Sequence, residues 1–376
     1  MQVPSSLHTA LAQAVVDGVF PGAVLAVRHR GNRVCLVSAG RHSSEPPGDS
    51  VTAATIYDLA SLTKPLATVT SLALLTQAGQ CRLDDRVDDL LPELRDAPVG
   101  PATLRHLLTH SSGLPGWRGF YERLSPDAVI PSSRQARSLA GEQMLQLLKR
   151  EAVLYGRGER SLYSDLGFML LGLIIERLSA RTLDRFVAER IAQPVGANPL
   201  TYMPSEGGEH PPGHSMAGLI APTEHDLWRN RLLCGEVHDE NAAALGGVAG
   251  HAGLFGTAEA VLAVTGNWLR AYHRHASILE YDVVREFIRR QESVPGSSWA
   301  LGWDTPSAPS SSGRYFSPKS FGHLGYTGTS IWIDPECELE VVLLSNRVYP
   351  SRKNEMIRAF RPAIHDLVYQ EFVADR

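Results

Sequence analysis

The spacing of apolar residues changes character twice along this chain. MQVPSSLHTALAQAVVDGVF predicts an amphipathic helix ending near Gly18. AVLAVRHRGNRVCLVSAG then reads as two strands joined by the turn His29-Arg30-Gly31-Asn32, and SSEPPGDSVTAAT as a loop. From about Cys81 to Ser293 the period is mainly helical: ATLRHLLTH, GEQMLQLLKRE, SDLGFMLLGLIIERLSA, TLDRFVAERIAQPVG, TAEAVLAVTGNWLRAY and YDVVREFIRRQ. Ser164 or Asp165 is placed to cap the third of these. SFGHLGY, TSIWIDP and LEVVLLSN return to strand patterning, with turns at Thr327-Gly328-Thr329 and Asp334-Pro335-Glu336. A last amphipathic helix is expected from about Asn354 to Val373. Segments 114–140, 203–224 and 307–320 read as loops.

Strands at both ends with helices between predict an α/β (α+β) chain. One antiparallel sheet, built from both termini and flanked by helices, would carry an inserted, mainly helical domain. The expected division is 1–58 with 296–376 for the sheet and 59–295 for the helical part. A cleft at their junction is the default place for a site.

The chain has 376 residues, long enough for a large core. Net charge is −4, with no basic run, so nothing marks a nucleic-acid surface. The longest apolar stretch, Leu166 to Ile175, is about half of what spans a bilayer and contains glycines. No secretory signal is visible, so the expectation as the sequence stands is cytoplasmic, or periplasmic or secreted if a leader has been removed. Cys35, Cys81, Cys234 and Cys337 are far apart and form no metal or disulfide framework, which fits free thiols in a reducing compartment. No cofactor is implied.

The densest chemical signal is Ser61-Leu62-Thr63-Lys64, within IYDLASLTKPLATVTSLALL. Residues three apart share a helical face, so the Ser61 hydroxyl and the Lys64 amine can meet. Serine is a weak nucleophile without a neighbouring base, and a desolvated lysine can shed its proton to become one. Pro65 falls in the first turn, where a missing N–H costs little, and Gly79 is a natural stop. S-x-x-K alone is a weak pattern, equally an N-cap followed by a solvated lysine. Two further elements join it. Tyr163-Ser164-Asp165 precedes an apolar helix: Tyr163 could share a proton with Lys64, and Asp165 could hold Lys64 or a substrate amide. Gly322-His323-Leu324-Gly325-Tyr326 lies on an expected strand, which could offer a main-chain N–H to an oxyanion and set His323 beside a substrate.

The order S-x-x-K, Y-x-[ND], [KH]-x-G resembles the penicillin-recognising serine hydrolases, in particular class C β-lactamases and the related penicillin-binding proteins and esterases. YDLASLTKPLAT, LRHLLTHSSGLP, YSDLGFMLLGLIIERLS, GGVAGHAGLFGTAE and GHLGYTGTSIWIDP all resemble segments of that family, in its order, from about Pro21 to Arg347. The resemblance implies a β-lactamase/transpeptidase-like fold and an acyl-enzyme mechanism. Ser61 would be acylated and Lys64 would be its base. Tyr163 would assist the leaving group, and the N–H groups of Ser61 and Tyr326 would form the oxyanion hole. Asp165, His323, Gly325 and His251 would contact substrate.

Two departures bear on substrate. Asp165 replaces an asparagine, and His323-Leu324 replaces Lys-Thr, leaving less positive charge for a substrate carboxylate. Both fit the subgroup with H-x-G, which includes esterases and muropeptide-directed amidases and peptidases. The expected partner is therefore a small molecule, first a peptidoglycan-derived amide or ester. A small carboxylic ester, a slow β-lactam reaction or a non-catalytic sensor are the alternatives. In Val237–Gly253 the glycine run could let backbone approach a ligand. His238, Asp239, Glu240 and His251 lack H-E-x-x-H spacing, so no metal is expected.

Overall fold

The computed structural model describes residues 4–45, 48–126, 129–203 and 218–374. Its main sheet has five strands in the order β2-β1-β10-β9-β8, every pair antiparallel. In chain order the strands are β1 (Gly22–His29), β2 (Asn32–Gly40), β3 (Tyr57–Asp58), β4 (Leu200–Tyr202), β5 (His225–Asp226), β6 (Arg231–Leu232), β7 (Leu254–Gly256), β8 (Phe321–Leu324), β9 (Ser330–Asp334) and β10 (Leu339–Ser345). The sheet thus takes two strands from the start of the chain and three from its end.

Both faces are covered, so its central strands read as mostly apolar runs instead of alternating. Along β1 and β10, Ala23, Leu25, Val27, Leu339, Val341 and Leu343 face one layer, formed by the helices Ser5–Val16 and Ile357–Tyr369. Val24, Ala26, Val342 and Leu344 face the other, where Ala258–Tyr272 and the helices of the middle of the chain pack. The β1–β2 hairpin closes through Arg30 (φ 49°) and Gly31 (φ 76°), the doubly positive turn that suits the twist of a two-residue hairpin.

Four features differ from the pattern reading. The S-x-x-K segment is not a plain α-helix: Ala60–Leu62 is a 3-10 turn, Lys64–Val69 is wound as π-helix, and α-helix begins only at Thr70. The expected loop 114–140 contains a helical turn, Tyr121–Leu124, and the first residues of Arg134–Lys149, capped by Ser133. Propensity there was masked by low hydrophobicity, because much of that helix faces solvent. The middle of the chain also holds a small three-stranded sheet, β3-β7-β4, whose strands are too short to show a period. Of the expected loop 203–224, residues 204–217 lie outside the described residues; Ala221, Thr223 and Glu224 are buried, not superficial.

The small sheet locates the serine. β7 pairs Phe255 and Gly256 with Asp58 and Tyr57. Leu59 N–H donates to the Leu254 carbonyl at 2.9 Å, and Leu254 N–H to Thr63 Oγ1 at 3.1 Å. On the other side, Thr327 Oγ1 donates to the Asp58 carbonyl at 2.8 Å and Thr329 Oγ1 to the Leu59 carbonyl at 3.1 Å. Ser61 is therefore held between the middle of the chain and the β8–β9 turn. Among the described residues no helix is long and apolar enough to cross a membrane.

Candidate active site

Lys64 Nζ donates to Ser61 Oγ at 3.0 Å and to the His251 carbonyl at 3.2 Å, and pairs with Asp165 Oδ1 at 2.7 Å. The lysine side chain is fully buried. Its ammonium also lies over the rings of Tyr163 (4.8 Å to the centroid) and Phe168 (5.6 Å), favourable placements for a cation. Each contact comes from a different segment, and each segment is fixed locally. Ser164 caps the Asp165–Ser179 helix through Gly167 N–H, which puts Asp165 in its first turn. Gly250 lies against Gly172 of the same helix so closely that a Cβ would meet the Phe168 carbonyl. Gly250 thus serves backbone-on-helix packing. The glycine run delivers two carbonyls inward: Gly250 O accepts from Thr68 Oγ1 (2.6 Å) and His251 O accepts from Lys64.

Desolvation was expected to strip the Lys64 proton, and the structure corrects this. Burial does favour the neutral amine, but the adjacent Asp165 carboxylate, with a smaller part from Tyr163, outweighs it and the net direction is upward. The resting lysine is an ammonium. Burial keeps the Tyr163 phenol protonated, opposed by Lys64 and Ser61.

His323 was expected beside substrate in the place of a cationic lysine. It is buried on β8, 3 % exposed, with Nδ1 2.8 Å from the Leu324 carbonyl. Burial, then Lys64, hold its pKa down to about 3, so it is neutral and supplies no cation. Its ring completes an aromatic wall with Tyr163 (5.9 Å) and Trp299 (5.8 Å). The His251 ring turns away to Asp239, Nε2 to Oδ1 2.8 Å, and is 1 % exposed; only its carbonyl reaches Lys64. His251 also holds Asp239 ionised against the effect of burial. Gly325 opens the β8–β9 turn, where a Cβ would run into Thr329 Oγ1 and the Leu59 carbonyl. Tyr326, next in the turn, is half-exposed. No group of acids, histidines and cysteines among the described residues could hold a metal.

Some contributors carried no readable role in the sequence. His110 accepts the Ser164 N–H at Nδ1 (3.0 Å) and packs against Tyr163 at 4.6 Å, so it fixes the Tyr163-Ser164 backbone. Its signal was local: a histidine in a polar turn, at φ 55°. Trp299, stacked on Tyr163 at 5.6 Å, sits in an irregular stretch without a motif.

A part-exposed serine on a fully buried lysine at the edge of a terminal-strand sheet, with a tyrosine-led second motif and a glycine turn on the edge strand, defines a serine hydrolase of the penicillin-binding and β-lactamase fold. The chain belongs to the beta-lactamase family, whose model matches residues 7–363. A relative from Escherichia coli (strain K12) is 32% identical over 314 residues, 79% of this chain and 70% of that one, and carries the provisional name D-alanyl-D-alanine carboxypeptidase. Two solved structures share the fold. One is EstCE1, "a hydrolase with promiscuous acyltransferase activity", at TM-score 0.73 and 22% identity, covering 97% of this chain and 98% of that one. The other is the octameric penicillin-binding protein homologue from Pyrococcus abyssi, at TM-score 0.71 and 22% identity, covering 98% and 77%.

Proposed function

We propose that Ser61 is the nucleophile of an acyl transfer to water and that Lys64, once neutral, is its base. The observation that carries this is the buried Lys64 ammonium shared between Ser61 Oγ and Asp165. Ser61 Oγ attacks the substrate carbonyl and its proton passes to Lys64. A C–O bond forms, and the carbonyl π pair moves onto oxygen, facing the N–H groups of Ser61 and Tyr326. Collapse breaks the bond to the leaving amine or alcohol, which takes a proton relayed by Tyr163, and leaves acyl-Ser61. Water then repeats the sequence, releasing the acid and restoring the serine. Because the resting lysine is protonated, turnover rises with pH as its neutral fraction grows.

The substrate we propose is a peptidoglycan-derived amide, a muropeptide or D-amino-acid peptide. The carboxypeptidase name of the 32% identical relative supports this. A small carboxylic ester is the second reading, favoured by the neutral His323 and its aromatic neighbours, which supply no charge for a substrate carboxylate. On either reading the cleft lies where 1–58 with 296–376 meets 59–295. The thiols of Cys35, Cys81, Cys234 and Cys337, all free, fit work in a reducing compartment.

The test is intact mass after brief exposure to p-nitrophenyl acetate, wild type beside Ser61→Ala. An acetyl adduct on wild type alone supports the nucleophile. An equal adduct on both overturns it. Release of D-alanine from a muropeptide pentapeptide, lost in Ser61→Ala, separates the amide reading from the ester one.

A further inference from the structure

Two arginines hold the β8–β9 turn from behind. Arg361, on the Ile357–Tyr369 helix, is buried, and its Nη2 donates to the Gly325 and Thr329 carbonyls, both at 2.7 Å. Arg347, after β10, donates Nε to the Tyr326 carbonyl at 2.9 Å and lays its guanidinium 4.6 Å from the centre of the Tyr326 ring. Burying a guanidinium without a carboxylate is costly. The charged groups acting on Arg361 are Arg347 and Arg358, both of its own sign, and burial pushes it down to about 9, still charged at neutral pH. Nothing in the packing of an amphipathic helix's buried face onto a sheet requires a charge there. Methionine would fill the same space.

What the charge reaches explains its presence. The Gly325 carbonyl and the Tyr326 N–H belong to one planar peptide group. A charge-assisted bond to the carbonyl draws electron density through the amide and makes its N–H a stronger donor. The same guanidinium bridges Gly325 O to Thr329 O, and Gly325 N–H donates to Thr329 O at 2.8 Å, so the peptide plane cannot rotate. We infer that Arg361 is a positioning residue for the reaction: it clamps and polarises the Gly325–Tyr326 peptide so that Tyr326 N–H meets the oxyanion. This rests on the assignment of that N–H to the oxyanion hole. Arg347 secures the next carbonyl and the Tyr326 ring, and acts in the same sense.

The test compares wild type, Arg361→Met and Arg361→Lys as full-length protein. Acylation by p-nitrophenyl acetate is followed in the pre-steady state, and the affinity for phenylboronic acid is measured. Boron accepts a lone pair from Ser61 Oγ as the hydroxyl proton leaves to the base, giving a tetrahedral adduct that mimics the transition state. For Arg361→Met the acylation rate constant is expected to fall about ten- to hundredfold, less than for loss of a donor outright. Boronate affinity should fall by the same factor, with ester binding within about twofold of wild type. Arg361→Lys, which keeps the charge, should recover part of both. Wild-type acylation and boronate affinity in a folded variant would overturn the inference. So would a lowered melting temperature with weaker ester binding and unchanged boronate discrimination, the mark of a purely structural staple. If Arg361→Met does not fold, the lysine variant decides by the same two measurements. No acyl adduct on Ser61 in wild type would instead overturn the nucleophile assignment itself.

Discussion

Replacing Asp165 with asparagine removes one negative charge at nearly constant shape, and should move the pH dependence of acylation toward acid. Asp165 Oδ1 lies 2.7 Å from Lys64 Nζ. At an effective dielectric of about 20, unit charges at that distance attract by ~6 kcal/mol. The asparagine amide oxygen still accepts a hydrogen bond, so only part of this is lost. Each ~1.4 kcal/mol of it that is lost raises the neutral fraction of Lys64 about tenfold on the acid side of its titration. The assay is the acylation rate constant with p-nitrophenyl acetate from pH 5 to 10, wild type beside Asp165→Asn. The variant should be the faster enzyme at pH 6, and the two curves should converge at alkaline pH. Stability moves the other way. Folding raises the Lys64 pKa, so the ion pair stabilises fully below the unfolded lysine value of about 10.4 and is lost as pH rises through the folded value. The variant should therefore melt lower at pH 7, with the gap closing at alkaline pH. Superimposable rate profiles would refute the reasoning, since Lys64 would then not be the titrating base or Asp165 would not hold its charge.

Tyr163→Phe keeps the stack on Trp299 and the ring under Lys64 but removes the phenol. Turnover of an ester with a poor leaving group should fall by about a hundredfold or more, and that of p-nitrophenyl acetate by much less, as comparison of the two substrates will show. Gly250→Ala drives a Cβ into the Phe168 carbonyl, so chemical denaturation should register a loss of roughly 1–3 kcal/mol. Activity should fall as well, through the displaced His251 carbonyl. Acid should destabilise the fold well before its carboxylates titrate. Burial holds His323 down to about 3 and His365 to about 4, below an unfolded value of about 6.5. Between these values the unfolded chain binds more protons, so the melting temperature should drop as pH falls from 6.5 to 4, and His323→Gln should flatten that slope.

The strands and long helices were legible because their faces are buried uniformly. Gly22–His29 and Leu339–Ser345 are buried almost throughout and mostly apolar, and Asp165–Ser179 combines an N-cap serine with a long apolar run. The Tyr57–Asp58 and Leu254–Gly256 strands escaped notice because two or three residues carry no period, although they locate Ser61. The serine and lysine were found through their spacing. Their ionisation was not, because it depends on a charge a hundred positions away in sequence and 2.7 Å away in space. Arg361 lies outside any motif, on the buried face of an amphipathic helix with Ile357, Ile364 and Val368, where a lone charge reads as solvated until the sheet is laid against it.

Of the two roles the motif offered Asp165, holding Lys64 or a substrate amide, the structure shows the first: it is the counter-ion that makes burial of Lys64 tolerable. Without it the lysine would face burial and three neutral rings, Tyr163, Phe168 and His323, none of which offsets a full charge as a carboxylate does. The cost is an amine that is occupied by a proton at neutral pH. On the proposed role of Lys64 as the base for Ser61, a slower, alkaline-shifted acylation follows from that single charge, whichever acyl group fills the cleft.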